Sequence, residues 1–133
     1  MGNCMDKRRA IVNSEEKLEY SGGNVHIITD KGSWDEKISE ANKDGKIVVA
    51  NFHASWCAPC RFVAPVYSKL SKAFPSFTFL SIDADQMTEI STPWDIQATP
   101  TFIFLKDGQQ LDKLVGANTI KLEEKLKNLA DLH

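Results

Sequence analysis

Apolar and polar positions change period several times along this chain, and each change marks an element. Val25 to Thr29 (VHIIT) is a short apolar run that predicts a first strand. Trp34, Ile38 and Ala41 then recur at helical spacing and predict a helix from Asp30 to Asn42, ended by Lys43-Asp44-Gly45. Ile47 to Ala54 (IVVANFHA) is almost continuously apolar and rich in β-branched residues, the pattern of a central strand covered on both faces. Helical spacing returns from Cys57 to about Lys72, with Phe62, Val63, Val66, Tyr67 and Leu70 on the expected buried side. Pro65 removes a backbone donor inside that helix and predicts a kink. Phe77 to Ile82 predicts a third strand and Gln86 to Trp94 a short helix. Thr101 to Leu105 and Gln110 to Leu114 predict two strands joined through Asp107-Gly108, a hairpin signal. Asn118 or Thr119 can cap a last helix whose Leu122, Leu126 and Leu129 form one stripe.

The order β-α-β-α-β-α-β-β-α alternates early and ends in a hairpin. It predicts an α/β domain with a mixed sheet, parallel in its first part, and helices on both faces. Residues 1–22 are polar and without periodicity, and read as a flexible arm ahead of a single folded domain at 23–133. The chain is long enough to bury its own core. Basic residues are spread along it and matched by acids, to a net charge of −2, which argues against a nucleic-acid binder. No apolar run approaches the roughly 20 residues that cross a bilayer. The opening MGNCMDKRRA lacks the hydrophobic stretch of a secretory leader.

Three cysteines are too few for a disulfide-stapled secreted scaffold and fit a reducing compartment better. Cys57 and Cys60 stand at the junction of the central strand and the following helix. A thiol at a helix N-terminus gains from unpaired N–H groups and the positive dipole end, which favour its thiolate. A second thiol three residues on lies on the same face and can attack any mixed disulfide that the first has formed. A zinc half-site is disfavoured, because zinc needs about four ligands and His26, His53 and His133 are far apart in sequence. His53, four residues before Cys57, fits a packing or surface role better than that of a general base.

Trp56-Cys57-Ala58-Pro59-Cys60 and Ala98-Thr99-Pro100-Thr101, with Phe52-His53-Ala54-Ser55, Pro65, Lys106-Asp107-Gly108 and Val115-Gly116-Ala117, resemble the thioredoxin family over roughly residues 23–132. Ser21-Gly22-Gly23-Asn24-Val25-His26 and the extended start are similar to plant h-type thioredoxins that carry an extra N-terminal cysteine. The resemblance implies a thioredoxin fold, a central mixed five-stranded sheet flanked by four helices, and a protein-disulfide reductase without a cofactor or metal. It implies Cys57 as exposed nucleophile, Cys60 as buried resolving thiol, and Pro100 in the cis isomer, which brings the Thr99 backbone beside the cysteines. Trp56, Ala58, Pro59, Val115, Gly116 and Ala117 would complete an apolar docking surface. The implied partners of this monomer are disulfide-containing target proteins, with thioredoxin reductase or glutathione and glutaredoxin as electron donor. A disulfide isomerase and a redox-regulated binding module are the rival readings of the same residues.

The chain departs from the family pattern in three places. Ala58 stands where the family usually has Gly. Asn51 stands where it usually has a buried Asp that relays a proton to the resolving thiol, and Ser81 stands in place of that Asp's lysine partner. A neutral amide is no general base, so the deprotonation of Cys60 is expected to run through water or the substrate thiolate. Replacing both charges together avoids leaving one of them buried alone. At the start, Gly2 and Cys4 open two readings: myristoylation with palmitoylation, although Asp6 stands where that motif prefers Ser or Thr, or a third redox thiol. The expected location is cytoplasmic, and membrane-associated where Gly2 and Cys4 are acylated.

Overall fold

The computed structural model describes Tyr20 and residues 23–132; Gly2, Cys4 and most of the expected arm lie outside the described residues. The elements are β1 (Val25–Ile27), α1 (Lys31–Asp44), β2 (Ile47–His53), α2 (Ala58–Ala73), β3 (Phe77–Asp83), α3 (Thr88–Ser91) with a 3₁₀ turn (Thr92–Trp94), β4 (Thr101–Lys106), β5 (Gln109–Val115) and α4 (Thr119–Leu132). The five strands form one sheet in the order β1-β3-β2-β4-β5. β1, β3 and β2 run parallel, whereas β4 and β5 pair antiparallel, as the late hairpin predicts.

The period of two divides the apolar run of β2 between two cores. Ile47 and Val49 face α2 and α4, packing with Val63, Tyr67, Leu70, Leu122, Leu126 and Leu129. Val48, Ala50 and Phe52 face the opposite side, where Trp34 and Ala41 of α1 and Ile90 of α3 cover them. Trp94 packs against this second core, in the role expected of it. Asn51, on the α2 side of the same strand, is the polar exception inside the first core's layer.

The element ends follow from local hydrogen bonding. Asp30, expected as the first helical residue, is the cap of α1: its carboxylate accepts from the Ser33 N–H at 2.7 Å, and Ser33 Oγ accepts from the Asp30 N–H at 3.3 Å. Asp107 (φ 51°) and Gly108 (φ 79°) both take the left-handed conformation that a two-residue hairpin turn needs. Asn118 caps α4, its side-chain oxygen accepting from the Lys121 N–H at 2.9 Å.

Two further expectations are corrected. Phe62 is 80% exposed rather than part of the buried stripe. It stands about 200° round α2 from the buried Cys60, on the solvent side, whereas Val63 and Tyr67 turn inward. Tyr20, expected within a free arm, packs on the first core with its ring 6.1 Å from that of Tyr67. Its carbonyl accepts from Ser68 Oγ at 3.1 Å and from the Gly23 N–H at 3.0 Å. The Asn24 N–H donates to Ser71 Oγ at 2.8 Å, so the chain is tied down where it crosses α2.

The crossing requires glycine at position 23. A Cβ there would run into Ser68, reaching 2.8 Å from its carbonyl oxygen. Gly23→Ala is therefore expected to cost about 1–3 kcal/mol, as overpacking does. The check is a lowered urea midpoint with an unchanged slope; an unaltered midpoint would show that the crossing has slack.

Candidate active site

β2 ends at His53, and the chain turns tightly, with the Cys57 N–H donating to the Ala54 carbonyl at 3.2 Å. Cys57 is the N-cap of α2, in an extended conformation, and its Sγ accepts the Cys60 N–H at 3.1 Å. Sulfur thus takes the place of the oxygen that usually satisfies a helix's first donors. The same donor and the dipole stabilise negative charge on that sulfur. Pro59 falls in the first turn, where its missing N–H costs no hydrogen bond. Cys57 and Cys60 are joined by a disulfide, with Cα atoms 5.3 Å apart.

Both cysteines are covered in this oxidised form, Cys57 at 2% and Cys60 at 0% exposure. The expectation of an exposed Cys57 is corrected to that extent. Its sulfur points inward between the Cys60 amide and the Thr99 carbonyl oxygen, the latter 3.5 Å away. The Thr99-Pro100 bond is cis, as the resemblance implies. The Pro100 carbonyl accepts the Gly116 N–H at 2.8 Å, which ties the end of β5 to this loop. The fold therefore brings the Thr99-Pro100 loop beside the pair and holds Val115 and Gly116 against that loop, while Ala117 packs on the first core.

Around the pair the surface is apolar and open. Trp56 is 70% exposed and Val115 56%, and Ala58 and Pro59 are exposed. Trp56 is held by its indole N–H, which donates to Asp85 Oδ2 at 2.8 Å. Asp85 is placed in turn by the Asp83 carboxylate, which accepts the N–H groups of Asp85 and Gln86. The Arg61 guanidinium donates to the Ser55 carbonyl at 2.7 Å and pins the loop from the helix side. Sequence reasoning missed Asp85 and Arg61. The acid-rich turn Asp83-Ala84-Asp85 after β3 was the available signal, since an exposed indole N–H needs an acceptor.

The structure places Asn51 and Ser81 side by side across the β2–β3 register, both buried. Among the described residues, neither Asn51 Oδ1 nor Nδ2 has a hydrogen-bond partner, and the same holds for buried His53 Nδ1 and Thr99 Oγ1. Ser81 Oγ is 2.8 Å from the hydroxyl of Tyr20, a residue that sequence reasoning did not connect with the site. The Tyr67 hydroxyl donates to the carbonyls of Val49 (3.0 Å) and Leu80 (2.7 Å). Burial pushes the Tyr20 phenol up to about 12, against the opposing pull of the Ser81 and Asn51 side chains. Burial, and then Tyr20, hold the Tyr67 phenol well above its ordinary range. Burial lowers the His53 imidazole, with Asp83 opposing, so His53 is neutral near pH 7 and suits its packing role. The buried polar residues of the described chain include no Asp, Glu, Lys or Arg, and among the described residues no group of three His, Cys, Asp or Glu side chains could hold a metal.

Residues 25–128 match the family described as Thioredoxin. The chain is 57% identical over 131 residues to Thioredoxin H4-1 of Oryza sativa subsp. japonica, covering 98% of each chain. It is 53% identical over 131 residues to Thioredoxin H9 of Arabidopsis thaliana, covering 98% of this chain and 94% of that one. Among solved structures, a poplar wild-type thioredoxin h superposes with a TM-score of 0.80 at 57% identity, covering 82% of this chain and 98% of the other.

The neutral polar groups around Asn51 generate a pH test. A carboxyl introduced by Asn51→Asp would be buried beside Ser81 with no cation paired to it, and burial raises such a group's pKa in the folded state. Its charged form is then disfavoured, so the added instability is absent below the unfolded-state pKa, grows as pH rises from that value towards the raised folded one, and is complete above it. Asn51→Asp is expected to melt close to wild type near pH 4 and to lose about 3 kcal/mol by pH 8. An equal loss at both pH values would refute this account.

Proposed function

This chain belongs to the thioredoxin family of protein-disulfide oxidoreductases, and from that premise we propose how its residues divide the work. The Cys57 thiolate attacks one sulfur of a target disulfide. A Cys57–target bond forms, the target's own S–S bond breaks, and the departing thiolate takes up the proton that Cys60 gives up. The Cys60 thiolate then attacks Cys57 Sγ, the Cys57–Cys60 bond forms, and the second target thiolate leaves. Two electrons have passed from the pair to the target. The observation that carries this assignment is the cap: the Cys60 N–H and the start of α2 act on Cys57 Sγ.

Trp56, Ala58, Pro59, Val115, Gly116 and Ala117 form the docking surface in this reading, with Pro100 shaping the loop and the Thr99 backbone pairing with an extended target segment. The protein works as a monomer in the cytoplasm. Asn51 and Ser81 leave the proton of Cys60 to water or the departing thiolate. Electrons arrive from thioredoxin reductase, or from glutathione and glutaredoxin through Cys4. Acylation of Gly2 and Cys4 would place the protein at a membrane instead, and it excludes the Cys4 route because an acylated sulfur has no thiol to offer.

Insulin reduction with dithiothreitol tests the assignment. Wild type is expected to turn over, Cys57→Ser to fall to background, and Cys60→Ser to stop as a trapped mixed disulfide. Wild type at background would favour the binding-module reading. A reduction potential near −270 mV supports a reductase, and one near −180 mV an isomerase.

The donor is read by supplying oxidised protein with NADPH and thioredoxin reductase, or with glutathione and glutaredoxin. Cys4→Ser is expected to lose the glutathione route and to keep full activity with dithiothreitol. A glutathione route unaffected by that substitution refutes the three-cysteine mechanism, and a fatty-acyl mass on the N-terminal peptide decides for acylation.

A further inference from the structure

Tyr20 enters the domain from ahead of β1 and ends against the first core, between α2 and β3. Its carbonyl is fixed to α2 through Ser68 Oγ and its hydroxyl to β3 through Ser81 Oγ. Ser81 is the register partner of Asn51, and Asn51 is 0% exposed with both ends of its amide unpartnered among the described residues. The Tyr20 hydroxyl stands close enough to interact with the Asn51 side chain, although no well-formed bond joins them in the disulfide form.

The position of that amide follows from the run of α2 over β2. The Tyr67 hydroxyl reaches the Val49 carbonyl, two residues before Asn51. From Tyr67 back to Cys60 is seven residues, about 10 Å of helix, which spans about three residues of strand. Cys60 therefore stands over the level of Asn51 to His53, and the Asn51 amide lies between Tyr67 and Cys60. The other groups facing this space are neutral: Phe102 is opposite Asn51 on β4, His53 is uncharged, and the buried polar residues of the described chain include no Asp, Glu, Lys or Arg.

A disulfide sulfur is a weaker acceptor than a thiolate, and among the described residues the amide N–H groups have no partner in the oxidised form. A thiolate at Cys60 is a strong acceptor for a charge-assisted bond. A chain of three bonds then becomes available, from Ser81 O–H to Tyr20 Oη, from Tyr20 O–H to Asn51 Oδ1, and from Asn51 N–H to Cys60 Sγ. Each link polarises the next. An amide donor favours the thiolate, whereas a carboxylate at the same place would repel it.

Resting on the division of labour above, we propose that Tyr20 is a positioning residue for the resolving step: its hydroxyl, seated on Ser81, holds the Asn51 carbonyl so that the amide N–H faces Cys60 Sγ. Ser81 and Tyr20 thus orient Asn51, and Asn51 touches the reacting sulfur.

Rapid mixing of the dithiol protein with 5,5′-dithiobis(2-nitrobenzoate) separates the two steps, because attack by Cys57 releases the first chromophore and attack by Cys60 the second. Tyr20→Phe keeps the ring and removes the hydroxyl. It is expected to leave the first release unchanged and to slow the second about threefold to tenfold at pH 7, the size of one ordinary hydrogen bond. The pH profile of the second release should also move to higher pH. Ser81→Ala removes the other end of the bond, is expected to act in the same direction, and carries the test alone should Tyr20→Phe fail to fold. A second release equal to wild type in rate and pH profile overturns the proposal, as does an equal slowing of both releases. Wild type that never gives a second release would overturn the division of labour itself, and this inference with it.

Discussion

A strand buried on both faces must match every side chain to a neighbour, and β2 is that strand here. Its alternate residues hold two separate cores together, so the two helices on each side are positioned through it. Its far end therefore falls at a fixed place, and the turn from Ala54 delivers Cys57 to the start of α2 with its sulfur already serving as the cap. The redox pair inherits its geometry from a strand packed on both faces, which is the support that a reacting constellation needs.

The same double burial explains the neutral polar groups around Asn51. A charge at the middle of β2 would lie in a core made of rings and branched aliphatics, where desolvation is severe. Asn51, Ser81 and Tyr20 are polar without being ionised near neutral pH, so they sit together in this core without needing a counter-ion. Among the described residues, the buried amide, imidazole and hydroxyl atoms without a partner fall on β2 and the Thr99 loop. Unsatisfied polarity is thus concentrated where sulfur changes its bonding, while the rest of the core is conventionally packed.

Much of the fold was legible in the residues because β2, the Asp107-Gly108 turn and the Leu122, Leu126 and Leu129 stripe are local signals with a definite period or backbone requirement. The pairing of Cys57 with Cys60 and the place of Pro100 were legible for a similar reason, through separated motifs in a fixed order. Phe62 was misread because an aromatic residue on an amphipathic helix adds to the apolar pattern whichever way it points, and only the helix angle relative to Cys60 decides. Asp85 and Tyr20 were missed for a different reason. Trp56 and Asp85 are 29 residues apart, and Tyr20 and Ser81 are 61 apart. No period or spacing encodes bonds made only after the sheet has assembled. Gly23 marked the start of the folded domain, but its need for a missing Cβ becomes visible only with Ser68 beneath it.

The Cys57–Cys60 bond links residues only three apart in sequence. In the chain-entropy view, a loop this short restricts the unfolded chain by only about 2 kcal/mol, against nearly 5 for a loop of a hundred residues. The bond is therefore a minor tie in the architecture, although it is the centre of the chemistry. Opening and closing it changes little in how tightly the polypeptide is held, so the protein can be charged and discharged many times as an intact body. Had either cysteine paired across the sheet, each turnover would have loosened and retied the fold, and the electrons would have travelled at the expense of the scaffold.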